Sequence, residues 1–193
     1  MNFIKILFIA LLLTACSSTH ITTQPTSSGL SPLEQSASEQ SEYKKAIVYL
    51  NSGNFEKAKE IFTRFRSERP ELAGPYANLA IIALKENNPD DAFKLVTIAV
   101  QKNPKLAQAL NLLGYLEQQK GDVSSAVKHY KQAIENYENY AIAHYNIALL
   151  YDVYLQDIDK AIPHYEKYLK LINNKDKKTA DWLEQIKQNK ERG

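Results

Sequence analysis

The chain has 193 residues, with 24 basic and 22 acidic side chains and a formal net charge of +2. That balance gives no reason to expect a nucleic-acid partner, and 44% hydrophobic with 24% charged residues are ordinary values for a globular protein. With only 6 Gly and 7 Pro against 12 Tyr, and few runs alternating apolar with polar residues, a β-rich fold is excluded and a helical one expected.

Met1 to Lys5 contains one lysine, and Ile6 to Leu13 is uncharged. A short basic start before a short apolar core is the layout of a secretory signal peptide. The apolar run is too short to span a bilayer, which needs roughly 20 residues. Leu13-Thr14-Ala15-Cys16 follows, and Cys16 is the chain's one cysteine. An internal disulfide is therefore impossible. Small residues ahead of that cysteine resemble the lipobox of bacterial lipoproteins. The resemblance implies that residues 1–15 are removed and that Cys16 carries the acyl chains, palmitate among them, that anchor the protein. Similarity to Gram-negative lipoproteins extends to Ser17, where a residue other than Asp favours the outer membrane over the inner. Removal of residues 1–15 takes away Lys5 alone among charged side chains and leaves a side-chain charge of +1.

From Ser17 to Gln40 the composition is mainly Ser, Thr, Gln and Pro. Such a stretch has little apolar surface to bury. Residues 16–38 are expected to be the lipidated N-terminus and a flexible tether, reaching roughly 25–30 Å. Ser31-Pro32-Leu33-Glu34 is a capping-box pattern with proline in its tolerated first position. A first helix could therefore begin near Pro32 and run through Leu50.

An internal period dominates the remainder. Ala58, Ala92 and Ala126 lie 34 residues apart, and Ala161 follows after 35. Ala46, Ala80, Gly114 and Ala148 keep the 34-residue step, as do Leu79, Leu113 and Ile147, and Pro70 and Pro104. Small residues in two columns let antiparallel helices approach. Phe62, Val96, Tyr130 and Tyr165 form a bulky column that fills the space between pairs. Gly53-Asn54, Asn88-Pro89, Gly121-Asp122 and Asp157 supply turn residues and N-caps for each second helix. Pro70 and Pro104 end second helices.

This pattern resembles the tetratricopeptide repeat (TPR) family over residues 39–174, in repeats 39–72, 73–106, 107–140 and 141–174. The resemblance implies an all-α fold, a right-handed superhelical α-solenoid of about four TPR helix pairs. Residues 175–193 read as a C-terminal capping helix, since repeat arrays need a polar-faced cap. Trp182, Leu183 and Ile186 share its apolar stripe, with Trp182 expected as a core anchor, and Lys175, Lys177 and Lys178 read as its solvated start. Three departures stand out. Glu42, Tyr76, Leu110 and His144 occupy the family's tryptophan column. Repeats three and four lack the terminal proline. Repeat four has an extra residue between Ala148 and Ala161, and Pro163 inside its second helix predicts a kink or a late start there.

The resemblance also implies that a stripe of first-helix residues lines a concave binding face. The candidate groove residues are Tyr43, Ile47, Asn78, Ile81, Asn111, Tyr115, Tyr145, Asn146 and Leu149, with Leu50, Ala77 and Gln118 nearby. Asn amides can fix a peptide backbone, and Tyr offers rigid amphipathic area. The stripe suits an extended peptide or an apolar helix, while Ile47, Ile81 and Leu149 divide evenly between groove and packing roles. The two-carboxylate clamp that binds chaperone tails is not matched, because Tyr43, Ile47, Gln108 and Leu112 hold its positions.

Nothing reads as catalytic. His20 lies in the tether, and His129 and His164 share one column, which suggests a repeated surface position. HExxH, Cys/His ligand spacing, GxSxG and phosphate-cradling loops do not occur. Asp90 and Asp91 suit a helix start. The expectation is a scaffold without enzymatic activity, cofactor, metal or small-molecule substrate. It would face the periplasm from a membrane anchor at Cys16 and bind an envelope protein. Similarity to lipid-anchored repeat proteins suggests a pilotin-like role in type IV pilus or secretin biogenesis, or a peptidoglycan-hydrolase adaptor. An envelope-modifying enzyme and a module that dimerises through its groove are the alternatives.

Overall fold

The computed structural model describes residues 32–192. The segment expected to be a signal peptide, Cys16 and His20 lie outside the described residues, as does the expected tether as far as residue 31. Among the described residues nine α-helices follow in chain order: α1 Pro32–Asn51, α2 Phe55–Glu68, α3 Ala73–Lys85, α4 Pro89–Lys102, α5 Ala107–Gln119, α6 Val123–Asn136, α7 Ala141–Leu149, α8 Ile158–Leu171 and α9 Lys177–Arg192. Among the described residues there is no strand. Because α1 starts at Pro32, residues 32–38, assigned above to the tether, are helix.

Tyr43 of α1 packs on Phe62 and Phe65 of α2, from α2 onward each helix packs on the next, and the first helices also pack side by side, α3 on α5 and α5 on α7. This is an α-solenoid of helix pairs. The small-residue columns explain the close approach, since Ala46, Ala58, Ala80, Ala92, Ala126, Ala148 and Ala161 are completely buried. Gly114 breaks the alanine column for a local reason. A Cβ there would lie 2.9 Å from Tyr130 Cδ1 and 3.2 Å from the Ala126 carbonyl. Repeat three thus seats the Tyr130 ring directly on its glycine, where repeats one and four have Ala46 with Phe62 and Ala148 with Tyr165, and repeat two has Ala80 with Val96.

Turn chemistry repeats with the same step. Gly53, Asn87 and Gly121 adopt φ of 79°, 59° and 82°, the left-handed region that ends a first helix. The next residue then caps the second helix. Asn54 accepts from Lys57 N, Asn88 from Asp91 N and Asp122 from Ser125 N at 3.0–3.3 Å. Repeat three makes its exit turn without the proline. Tyr140 N bonds Tyr137 O at 3.0 Å, as Leu72 N bonds Arg69 O at 3.1 Å beside Pro70.

Repeat four absorbs its extra residue inside the first helix, which continues as a π-helical turn, Leu150–Tyr154. Its end is kept in register, with Gln156 at φ 52° and Asp157 accepting from Lys160 N at 3.2 Å. The expected late start at Pro163 does not occur, because α8 runs unbroken from Ile158 to Leu171 with Pro163 exposed within it. The Asp157 cap sets the start at Ile158, ahead of the proline.

Candidate partner-binding surface

One face of the solenoid is built from first helices alone. Ile47, Ile81, Tyr115 and Leu149 recur every 34 residues on α1, α3, α5 and α7. Tyr115 is 39% exposed and the other three are half-buried. They form an apolar stripe running across neighbouring helices. Tyr43, Asn78, Asn111 and Asn146 lie three or four residues earlier on the same helices, hence on the same face.

These polar neighbours tie the first helices together. Asn78 Nδ2 donates to the Tyr43 hydroxyl at 2.8 Å, and Gln108 Nε2 donates to Asn78 Oδ1 at 3.3 Å. Asn146 Nδ2 donates to Asn111 Oδ1 at 3.0 Å. Asn78 is 3% exposed and Asn111 7%. A buried amide loses its water and needs partners, and Asn78 spends both amide atoms, and Asn111 its carbonyl oxygen, on adjacent repeats. Asn78 and Asn111 are expected in the groove as peptide-fixing amides. The geometry makes them lateral ties beneath it. Tyr43 is held edge-on to Phe62 and Phe65, at centroid distances of 5.4 and 5.2 Å. Burial raises its hydroxyl pKa. A side chain at Gly74 would strike that hydroxyl. Tyr145 is half-buried against Tyr168, at 5.0 Å between centroids. Ala77 and Gln118, named near the stripe, are buried, and Leu50 is half-buried.

Repeat four contains two polar clusters. His144 is buried, and its Nε2 lies 2.9 Å from the Glu138 carbonyl, to which it donates. Its bare Nδ1 therefore accepts from His164 Nδ1, 3.0 Å away. Burial lowers both pKa values, His164 to about 4, helped there by His144 and Lys131. His129 meets Glu117 Oε2 at 2.6 Å. The His129/His164 column is thus turned inward onto the preceding first helix, correcting the expected surface position. The second cluster centres on Asp152, a buried carboxylate in the π-helical turn. Its Oδ2 accepts from the Tyr165 hydroxyl at 3.1 Å and from Trp182 Nε1 at 2.7 Å. Burial and the adjacent carboxylate raise the Tyr165 pKa. Leu183 and Ile186 are the buried anchors of α9, whereas Trp182 is 44% exposed and held by its indole N–H.

Gln108, Asp152 and the His144–His164 pair were not singled out as interacting residues from sequence. The usable signal was a polar residue in a column that is otherwise apolar or small. Gln118 and Asp152, 34 apart, are one such column, each accepting from the tyrosine of the bulky column.

The tetratricopeptide repeat pattern matches residues 43–107, 77–141 and 111–175. The uncharacterized protein ycf37 of Pyropia yezoensis is 35% identical over 77 residues, 39% of this chain and 43% of that protein. The chain thus spans less than half of that relative's length. Among solved structures, PilF of Pseudomonas aeruginosa is similar, with 21% identity and a TM-score of 0.67 over 80% of this chain and 72% of that one. YrrB, described as a TPR protein with an unusual peptide-binding site, is 21% identical with a TM-score of 0.53 over 72% of each chain. At such identity both are likenesses of fold. With the repeat pattern extending over more than half of its length, the chain belongs to the tetratricopeptide repeat family.

Proposed function

We propose that this protein is a non-enzymatic scaffold, lipid-anchored through Cys16 and facing the periplasm. It binds a protein partner along the first-helix face and so assists assembly of an envelope complex. The observation that carries the binding reading is the stripe of Ile47, Ile81, Tyr115 and Leu149, partly open to solvent above amides already engaged with one another. Recognition on this face is therefore apolar, and the ties beneath hold it rigid before the partner arrives, which reduces the ordering needed on binding. The occupant is an apolar helix or extended segment. Repeat arrays use such faces for binding, and the peptide-binding site of YrrB is a use of the same fold. The lipobox-like Leu13-Thr14-Ala15-Cys16 supports the anchor and the location.

The test is photo-crosslinking in cells from position 115, with Cys16 intact, and identification of the captured protein by mass spectrometry. One envelope protein is expected, lost in Ile81→Asp. A secretin subunit would assign the scaffold to pilus or secretion biogenesis, and a murein hydrolase to peptidoglycan remodelling. Capture only from Glu60 on α2, with none from position 115, would sink the assignment of this face.

A further inference from the structure

Repeat four ends its first helix unlike the other three. Repeats one to three have Asn51-Ser52-Gly53, Lys85-Glu86-Asn87 and Gln119-Lys120-Gly121 there, whereas repeat four has Val153-Tyr154-Leu155 before Gln156. All three apolar residues are exposed. They lie at the end of the π-helical turn, a geometry that concentrates at functional sites. Packing within the chain does not account for three consecutive apolar side chains in solvent.

Beside them is a cleft of about 720 Å³, lined by Leu155, Ile158, Trp182, Asp152, Asp157 and Asp159 among others. Asp152 holds the indole by its N–H, which fixes the ring while leaving part of it open. An indole face attracts cations more strongly than any other side-chain ring. All three carboxylates are already engaged, Asp152 by Tyr165 and Trp182 and the other two by lysines of this chain. Lys160 pairs with Asp157, and Lys190 reaches Asp159 from α9. Asp159 and Lys190 are both well exposed, so their pair is readily exchanged with another cation. Lys190 is the cation among the residues that line the cleft, against Asp152, Asp157 and Asp159, and with Lys160 paired to Asp157 the balance stays negative, which disfavours acidic peptides and anionic headgroups.

We propose that this cleft docks a partner segment in which an arginine or lysine is flanked by apolar residues. The cation lies on Trp182 beside Asp159, taking the place of Lys190. The apolar neighbours pack on Leu155 and Ile158. This surface is separate from the first-helix stripe and does not depend on it.

Trp182 is the chain's one tryptophan, so its emission reports on this cleft alone. The full chain is titrated with an acetylated, amidated Gly-Leu-Arg-Leu-Gly peptide and with its Glu-for-Arg counterpart. The Arg peptide is expected to shift the emission saturably and to bind at least about tenfold more tightly than the Glu peptide. Leu155→Ser, at an exposed position, should weaken binding about tenfold. Lys190→Ala should strengthen it about threefold by removing the resident cation, which a merely structural Lys190 would not do. Equal responses to the two peptides, no saturable shift, or weaker binding by Lys190→Ala would each overturn the proposal. So would a shift with phosphatidylglycerol vesicles but not with peptide, which would mean a membrane surface. A shift that follows protein concentration without peptide would mean a second copy, and would overturn it equally.

Discussion

Repeats one to three and repeat four close the same hairpin in two ways. In the first three, the N–H of the capping residue returns to the carbonyl five residues earlier, Asn54 to Tyr49, Asn88 to Ala83 and Asp122 to Glu117. In repeat four Asp157 returns to Tyr151, one residue further. The cap and the small residue behind it, Ala161, keep their places, and the surplus is taken up within the helix. The contact between the small columns is therefore held more tightly than the helical hydrogen-bond pattern. Sliding Ala161 out of register would put a larger side chain where none fits, whereas one π-helical turn disturbs only a few backbone bonds.

The largest expected effects test that claim in the regular part. Tyr130→Ala should cost about 3–5 kcal/mol, since it empties a fully buried site. Gly114→Ala should cost about 1–3 kcal/mol because the new methyl meets the Tyr130 ring. Adding Tyr130→Val to Gly114→Ala rebuilds the Ala80/Val96 pair of repeat two. Urea melts should then show the double variant more stable than the sum of its parts. Simple additivity would mean the two columns are not coupled, and the comparison would break.

Repeat four should fail differently. Asp152→Ala strands the Tyr165 hydroxyl and the Trp182 N–H, and should cost about 1–3 kcal/mol. Faster hydrogen exchange in α9 and a red-shifted Trp182 emission should accompany it. Gln118→Ala, the same column in repeat three, frees one hydroxyl only and should leave α9 exchange unchanged. Equal effects of both on α9 would remove the special role of Asp152 in holding the cap.

Acid should also act on repeat four first. Both imidazoles of the His144–His164 pair have lowered pKa values, His164 to about 4. The unfolded chain therefore binds more protons than the folded one between pH about 6.5 and about 4. The pair's contribution is complete above that window and is lost as pH falls through it. The neighbouring charges are Lys131, Lys167 and Glu138, the last paired with Lys167 at 2.9 Å. With allowance for solvent at the half-buried His164 ring, about 1–2 kcal/mol should disappear. His164→Gln, whose amide still donates to His144, should flatten the pH dependence of melting in this range. An unchanged slope would show that the pair does not titrate as its geometry requires.

The period and the small columns were legible in the sequence because each reports a backbone constraint repeated four times. Asn54, Asn88, Asp122 and Asp157 were legible as caps for the same reason. The face was harder to read. A polar residue on the Asn78 column looks identical in sequence whether it points at a ligand or at the next helix. The choice depends on Tyr43 and Gln108, which lie a whole repeat away in each direction. The size of Trp182 suggests a core anchor, but an indole held by Asp152 need not be buried. The cleft beside Leu155 stayed hidden because it needs the π-helical turn, which an extra residue permits but does not specify.

The smallest effect probes the one strained residue that the insertion leaves behind. Gln156 occupies the left-handed position that Gly53 and Gly121 fill elsewhere, at φ 52°. A residue with a Cβ is disfavoured there by about 1–2 kcal/mol, while glycine adds backbone entropy to the unfolded chain. Gln156→Gly should therefore stabilise the protein by about 0.5–1 kcal/mol. Gly121→Gln should destabilise it by a similar amount, although nothing crowds that position. Opposite signs in thermal melts would establish that the two turns are equivalent and that repeat four differs only within its helix. Destabilisation by both changes would mean that the Gln156 side chain is needed where it stands, lining the cleft beside Leu155 and Asp157. The strain would then be maintained by what the cleft does, and not left over from the insertion.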